Sequence, residues 1–315
     1  MQGAGNNRGT KILLRVVAWS CAYLGWFVAQ ASGQPIRFQN AVYALAINPL
    51  NPSTIYAATD IGVLRSTDGG ASWDATNNGL PSARVTAVAL DPSNPSTVYV
   101  GTQGVFKSTD GGETWAPAAN GIPSSSLGVA AIAVDPAHPS ILYAGLFAFN
   151  GFGLARSTNG GATWMAVAST VLPNTTFDGL ALGPANSSTV YAASMNGKEF
   201  GGVFKSTDAG AHWAAASNGL PPSPRVNALA LDPSNPSTLY ARVRGAGLFK
   251  SKDGGASWAS ANNGLSASND LAGYASALVI DPSNSLIVYT GTYSGGVFKV
   301  SIAPMIIRNA FKDMG

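Results

Sequence analysis

From Val42 onward the chain alternates short apolar runs with turn-rich segments. Val85-Thr86-Ala87-Val88-Ala89-Leu90 reads as a buried strand, and the following DPSNPS is a proline-rich turn. Thr97–Gly101 predicts a second strand and Gly104–Ser108 a third. The turn at TDGGE leads to a fourth strand starting at Trp115. No apolar stretch in this region shows a helical period of useful length.

This unit is repeated. The motif S-x-[DN]-x-G-x-x-W occurs at Ser66–Trp73, Ser108–Trp115, Ser157–Trp164, Ser206–Trp213 and Ser251–Trp258. The five tryptophans lie 42, 49, 49 and 45 residues apart. Six prolines, Pro49, Pro92, Pro136, Pro184, Pro233 and Pro282, are each followed seven residues later by a tyrosine: Tyr56, Tyr99, Tyr143, Tyr191, Tyr240 and Tyr289. Four short strands per repeat of this length predict an all-β fold, a six-bladed β-propeller of four-stranded blades. One blade cannot bury both of its faces, so the blades must stack around an axis.

The sixth unit carries three strand patterns, Ala277–Ile280, Ile287–Thr290 and Val297–Val300, without the tryptophan motif. An outer strand lies about 14 Å from the inner one, three strand spacings away. Two residues, Asn40 and Ala41, separate Ile36–Gln39 from Val42, and three peptide steps reach roughly 10 Å. The apolar run at 305–311 follows the third strand closely and is the expected fourth strand of that unit.

The first 31 residues read differently. Arg8 and Lys11 precede the apolar Val16–Ala29, and Ala29-Gln30-Ala31 has the small-x-small form of a cleavage site. This predicts a secretory signal peptide over 1–31 and one propeller domain over 32–315, secreted or periplasmic, with no stable membrane insertion after cleavage. The clean stretch of 14 residues is shorter than the roughly 20 that span a bilayer. The leader holds three basic residues and no acid, so the rest of the chain has 15 basic and 15 acidic residues. A neutral chain lacks the electrostatic footprint of a nucleic-acid binder. The single cysteine, Cys21, lies in the leader. His138 and His212 sit in separate turns, without zinc-ligand spacing, and no phosphate-loop motif occurs, so neither metal nor cofactor is expected.

The S-x-D-x-G-x-T-W motif resembles the Asp-box, or BNR, repeat of sialidases, sortilin-type (VPS10) propellers, xyloglucan-cleaving glycosidases and a photosystem II assembly factor. The resemblance covers about residues 42–302. It implies Asp-box hairpins with a structural role, on the face away from the functional site. Asn159 replaces the aspartate in the third motif, and Ala209 and His212 alter the fourth. The segment Tyr56-Ala57-Ala58-Thr59-Asp60-Ile61-Gly62 is similar to the first-blade segment of the xyloglucanase family, which implies a catalytic carboxylate at Asp60. In that family the partner acid comes from a second propeller, which this chain lacks. The Arg-Ile-Pro motif of sialidases is absent.

Eight of the 15 acids belong to the tryptophan motifs or the proline turns. Away from these and the tail, Asp60, Asp178, Glu199 and Asp270 fall in loops sharing one face, called here the upper face. The same face collects Phe147, Phe149, Asn150 and Phe152, then Lys198, Glu199 and Phe200, then Arg242, Arg244 and Tyr293. Aromatic rings beside polar groups suit a glycan or peptide ligand. The expected function is therefore an exported, monomeric binding or scaffold module recognising a glycan or a protein. The alternative is a glycoside hydrolase, which needs two carboxylates facing one cleft.

Overall fold

The computed structural model describes residues 41–82, 84–123, 127–147, 153–167, 175–183, 186–196, 201–262, 277–292 and 296–301. They form antiparallel meanders in chain order. The first blade is β1 (Val42–Ile47), β2 (Ile55–Thr59), β3 (Gly62–Ser66) and β4 (Asp74–Ala75). The second is β5 (Ala87–Leu90), β6 (Val98–Gly101), β7 (Val105–Ser108) and β8 (Ala116–Pro117). The third is β9 (Val129–Val134), β10 (Leu142–Leu146), β11 (Leu154–Ser157) and β12 (Met165–Ala166). The fourth is β13 (Gly179–Gly183), β14 (Asn186–Ser194), β15 (Gly202–Ser206) and β16 (Ala214–Ala215). The fifth is β17 (Val226–Leu231), β18 (Leu239–Val243), β19 (Gly247–Ser251) and β20 (Ala259–Ser260).

A three-stranded sheet follows: β21 (Leu278–Asp281), β22 (Asn284–Thr292) and β23 (Gly296–Ser301). Among the described residues the expectation of six four-stranded blades is thus corrected to five, plus this sheet. The physical reason is visible in the five blades. Each fourth strand is the two-residue segment just after a motif tryptophan, and the last repeat has no such tryptophan. The run at 305–311 and the leader over 1–31 lie outside the described residues.

Blades pack face to face through apolar clusters. Tyr56, Ala58 and Val63 of the first blade meet Val88, Val98 and Trp115 of the second. The series continues around the axis and returns, because Ala277, Tyr289 and Val297 of the last sheet pack with Val42, Leu45 and Trp73. The inner and middle strands are buried on both faces, which explains why they read as runs rather than alternations.

Two hydrogen-bonding devices join neighbours. Within each motif turn the serine hydroxyl receives the N–H of the second glycine or its equivalent. Gly70 N–H reaches Ser66 Oγ at 2.8 Å, and Gly161 reaches Ser157 at 3.0 Å. The aspartate accepts from the backbone and side chain four residues on, as Asp110 does from Thr114. These bonds lower the carboxyls of Asp68, Asp110, Asp208 and Asp253 to about 2. His212 substitutes for the missing hydroxyl, with Nδ1 2.6 Å from Asp208 Oδ2. In the third turn Asn159 Oδ1 takes the N–H of Thr163 at 2.8 Å.

The second device crosses blades. Tyr56 donates its hydroxyl to Gly111 O at 2.8 Å, Tyr99 to Gly160 O at 3.1 Å, Tyr143 to Ala209 O at 3.0 Å and Tyr191 to Gly254 O at 3.1 Å. A cation from the adjacent strand covers the rings of Tyr99, Tyr143 and Tyr191, and Arg65, Lys107 and Lys205 each share the tyrosine's acceptor. Trp115, Trp164 and Trp258 answer from the other side. Their indole N–H groups donate to Thr76, Ala118 and Ala216 of the preceding blade.

The connection between blades runs beneath the same tryptophans. Trp115 N–H donates to Asn78 O, Trp164 N–H to Asn120 O and Trp258 N–H to Asn218 O. The next residue is glycine each time. Gly79 has φ +95°, and an added Cβ would lie 2.3 Å from Trp115 O. Gly69, in a motif turn, has φ +74° but open space around it. Gly79→Ala is expected to cost about 2–4 kcal/mol, from strain plus the clash with backbone, and Gly69→Ala about 1 kcal/mol, from strain alone. Urea unfolding of both variants checks the order; equal losses would refute it.

Candidate ligand-binding face

In a meander blade the second-to-third-strand loop emerges at the same end as the start of the inner strand. That end is the upper face. Asp60 lies there, exposed, in the tight β2–β3 turn held by Thr59, whose hydroxyl donates to Gly62 O at 2.8 Å. Ile61 beside it is 39% exposed. Phe147 is half-buried, and its backbone extends the third blade beyond β10. Its N–H donates to Gly128 O at 2.9 Å, and its carbonyl accepts from Leu127 N–H at 3.1 Å. Arg244 is half-buried on the β18–β19 turn, where its N–H donates to Arg225 O at 2.8 Å. Phe149, Asn150, Phe152, Lys198, Glu199, Phe200 and Tyr293 lie outside the described residues.

Arg242 is not a surface residue. It is 1% exposed, and burial lowers its guanidinium to about 10. Asn227, also buried, brackets it: the amide nitrogen donates to Arg242 O and the amide oxygen accepts from Arg242 Nη1, each at 3.1 Å. Asn227 occupies a bulge, where the β17–β18 register shifts between Val226 and Ala228. Its side chain is therefore withdrawn from the surface.

The bulge recurs in two other blades. The residue six positions before each repeat's proline is Tyr43, Thr86, Ala130, Asp178 or Asn227 in the five blades. In blades one, three and five the ladder skips it. A bulge re-aims one side chain out of the alternating pattern, here at the top of the innermost strand. Three of these residues, Tyr43, Ala130 and Asp178, line an axial cavity of about 100 Å³ to which all six sheets contribute. Arg84 caps the Tyr43 ring, 5.0 Å from its centroid.

Among the described residues Asp178 is the one carboxylate lining this cavity. Its Oδ2 accepts the N–H of Met195 at 3.0 Å, and its own N–H donates to Ala193 O. Burial raises its carboxyl from 3.8 to about 7, against which the backbone donors act only partly. Asp60 does not line the cavity. The two described acids of the upper face are therefore not brought into one cleft. A wider groove of about 620 Å³ between the second and third blades is lined by Lys107, Trp115, Asn120 and Asn159, residues already engaged in joining blades. Among the described residues no three His, Cys, Asp or Glu side chains converge as a metal site would require.

No family model matches the chain, and no curated protein matches it. Solved structures do match. A GH74 enzyme from Niastella koreensis is 24% identical with a TM-score of 0.60, over 84% of this chain and 46% of that one. A GH74 xyloglucanase from Xanthomonas campestris is 21% identical with a TM-score of 0.60, over 82% and 44%. YCF48 bound to D1 peptide is 13% identical with a TM-score of 0.53, over 88% and 99%. The chain spans less than half the length of these two GH74 proteins. The likeness shows the fold: an all-β propeller with four-stranded blades.

The raised Asp178 carboxyl has a consequence for stability. The unfolded chain ionises it near 3.9, the folded one near 7, so the folded state holds the proton more tightly. Its neutral form is therefore compatible with full stability below about pH 4, and stability declines as pH rises through 4 to 7, by at most about 4 kcal/mol. Asp178→Asn keeps an acceptor for Met195 and removes the charge. The variant is expected to melt higher than wild type at pH 8 and equally at pH 4, read by thermal unfolding at both.

Proposed function

We propose that the chain is an exported propeller module that binds a glycan or a protein ligand through its upper face, acting as a monomer outside the cytoplasm. The observation that carries this reading is a division of labour between the two ends of the blades. The motif turns and proline turns are committed to the scaffold, each side chain bonded within its own turn or to the next blade. At the opposite end Phe147, Arg244, Arg225, Arg84 and Ile61 differ from repeat to repeat. Variation on a fixed frame is what a ligand-selecting surface requires.

The matched structures support both ligand classes, since one is a xyloglucanase and another holds a peptide. The leader pattern and the absence, among the described residues, of any helix long and apolar enough to cross a membrane fit export. The Asp-box reading of the turns is part of the same proposal. A hydrolase reading has less support, because Asp60 and Asp178 do not share a cavity.

Glycan and peptide arrays probed with residues 32–315 identify the ligand class. Arg244→Ala and Phe147→Ala are then expected to weaken binding about fivefold or more, roughly 1 kcal/mol each, with melting temperatures within a few degrees of wild type. Unchanged affinity in both variants would place the site elsewhere.

A further inference from the structure

The axial cavity has a chemistry of its own, separate from the rim loops. Its walls are the inner strands β1, β5, β9, β13, β17 and β21, each hydrogen-bonded to one neighbouring strand only. The other edge of every inner strand faces the axis, so backbone carbonyls and amides line the cavity where the next strand would otherwise pair. The side chains flanking it are mostly Ala, Val, Leu and Ile. Just before β13 the fourth blade places one carboxyl in this cavity, that of Asp178. Asp178 Oδ1 makes no hydrogen bond among the described residues, while Oδ2 is held by Met195. Among the described residues no basic side chain acts on the carboxyl to offset its desolvation.

We infer that the axial cavity is a binding site for a primary ammonium group on a slender stem, with Asp178 Oδ1 as its charged acceptor and axis-facing backbone carbonyls completing its shell. An ammonium carries three donors and no acceptor, so it suits a pocket whose one strong group is a carboxylate. An anion would face that carboxylate without a compensating cation. A guanidinium is broad and planar, and a cavity of about 100 Å³ has little room for its fork. A buried carboxylate with no cation is costly, and a bound ammonium removes the cost by pairing. The group could belong to a free alkylamine or to a lysine side chain of a partner protein, and the two differ only in what the stem carries outside the cavity.

The test uses two probes, n-butylammonium and Nα-acetyl-lysine N-methylamide, on the whole mature chain. Carbon-13 NMR follows the Asp178 carboxyl through its titration. Either probe, if it seats, lowers the apparent carboxyl pKa. Its affinity rises about tenfold from pH 6 to pH 8, following the ionised fraction of a group titrating near 7. Asp178→Asn abolishes both effects. Binding of n-butylammonium alone identifies a free amine as the occupant; binding of both probes admits a lysine side chain. A carboxyl titration unmoved by either probe overturns the proposal. So does equal affinity in wild type and Asp178→Asn. The wild-type titration decides the matter even if the variant fails to fold. Neither result depends on the rim, so Arg244→Ala, which probes the rim, should leave probe binding unchanged.

Discussion

The structure depends on one interaction repeated around the axis: a tyrosine hydroxyl on the middle strand of one blade donating to a turn carbonyl of the next. Hydrophobic burial supplies the larger energy, but it is non-directional and would let blades slide. The hydroxyl bonds fix the angle and height of each blade relative to its neighbour. They need an acceptor held in place, and the serine and aspartate of the motif turn hold it. Where a cation covers the ring, it works in the same direction. Lys107 and Lys205 lie 5.2 Å from the tyrosine centroids while their ammonium groups donate to the same carbonyls. Burial raises the Tyr99 phenol to about 12, which keeps it a donor at any physiological pH.

This explains why so much of the fold was legible in the sequence. The Pro-to-Tyr spacing and the tryptophan motif are the two halves of the joint, so the repeat that can be read is the repeat that holds blades together. The strands read from Thr97–Gly101 and Gly104–Ser108 correspond to β6 and β7 within a residue. The fourth strands were placed but overestimated, because they begin after the tryptophan and last two residues. The connecting glycines, Gly79, Gly121 and Gly219, went unread, though each recurs after an asparagine and before Leu-Pro or Ile-Pro.

The candidate site was less legible, for a physical reason. Its residues depart from the repeat, so no pattern marks them. Arg242 was read as a rim residue because alternation alone does not say that Asn227 would sit in a bulge and draw the guanidinium inward. Asp178 was one of four unassigned acids. The signal that singles it out is registration: aligned on the proline, it falls at the position of Tyr43, Thr86 and Asn227, a place that is polar in four of the five blades. A frame built from repeated joints leaves its axis and its loop end free to vary, which is why the proposed sites are sought there.

The central claim is that the tyrosine bond and the motif turn act as one unit across the blade boundary. A double-mutant cycle of Tyr99→Phe with Ser157→Ala tests it most directly. Tyr99 reaches Gly160 O, and Ser157 holds that turn through the N–H of Gly161. Measured by denaturant unfolding, the pair should show a coupling energy of at least about 0.5 kcal/mol, because a loosened turn no longer presents its carbonyl. Strictly additive losses would contradict the account and leave the blades held by apolar packing alone.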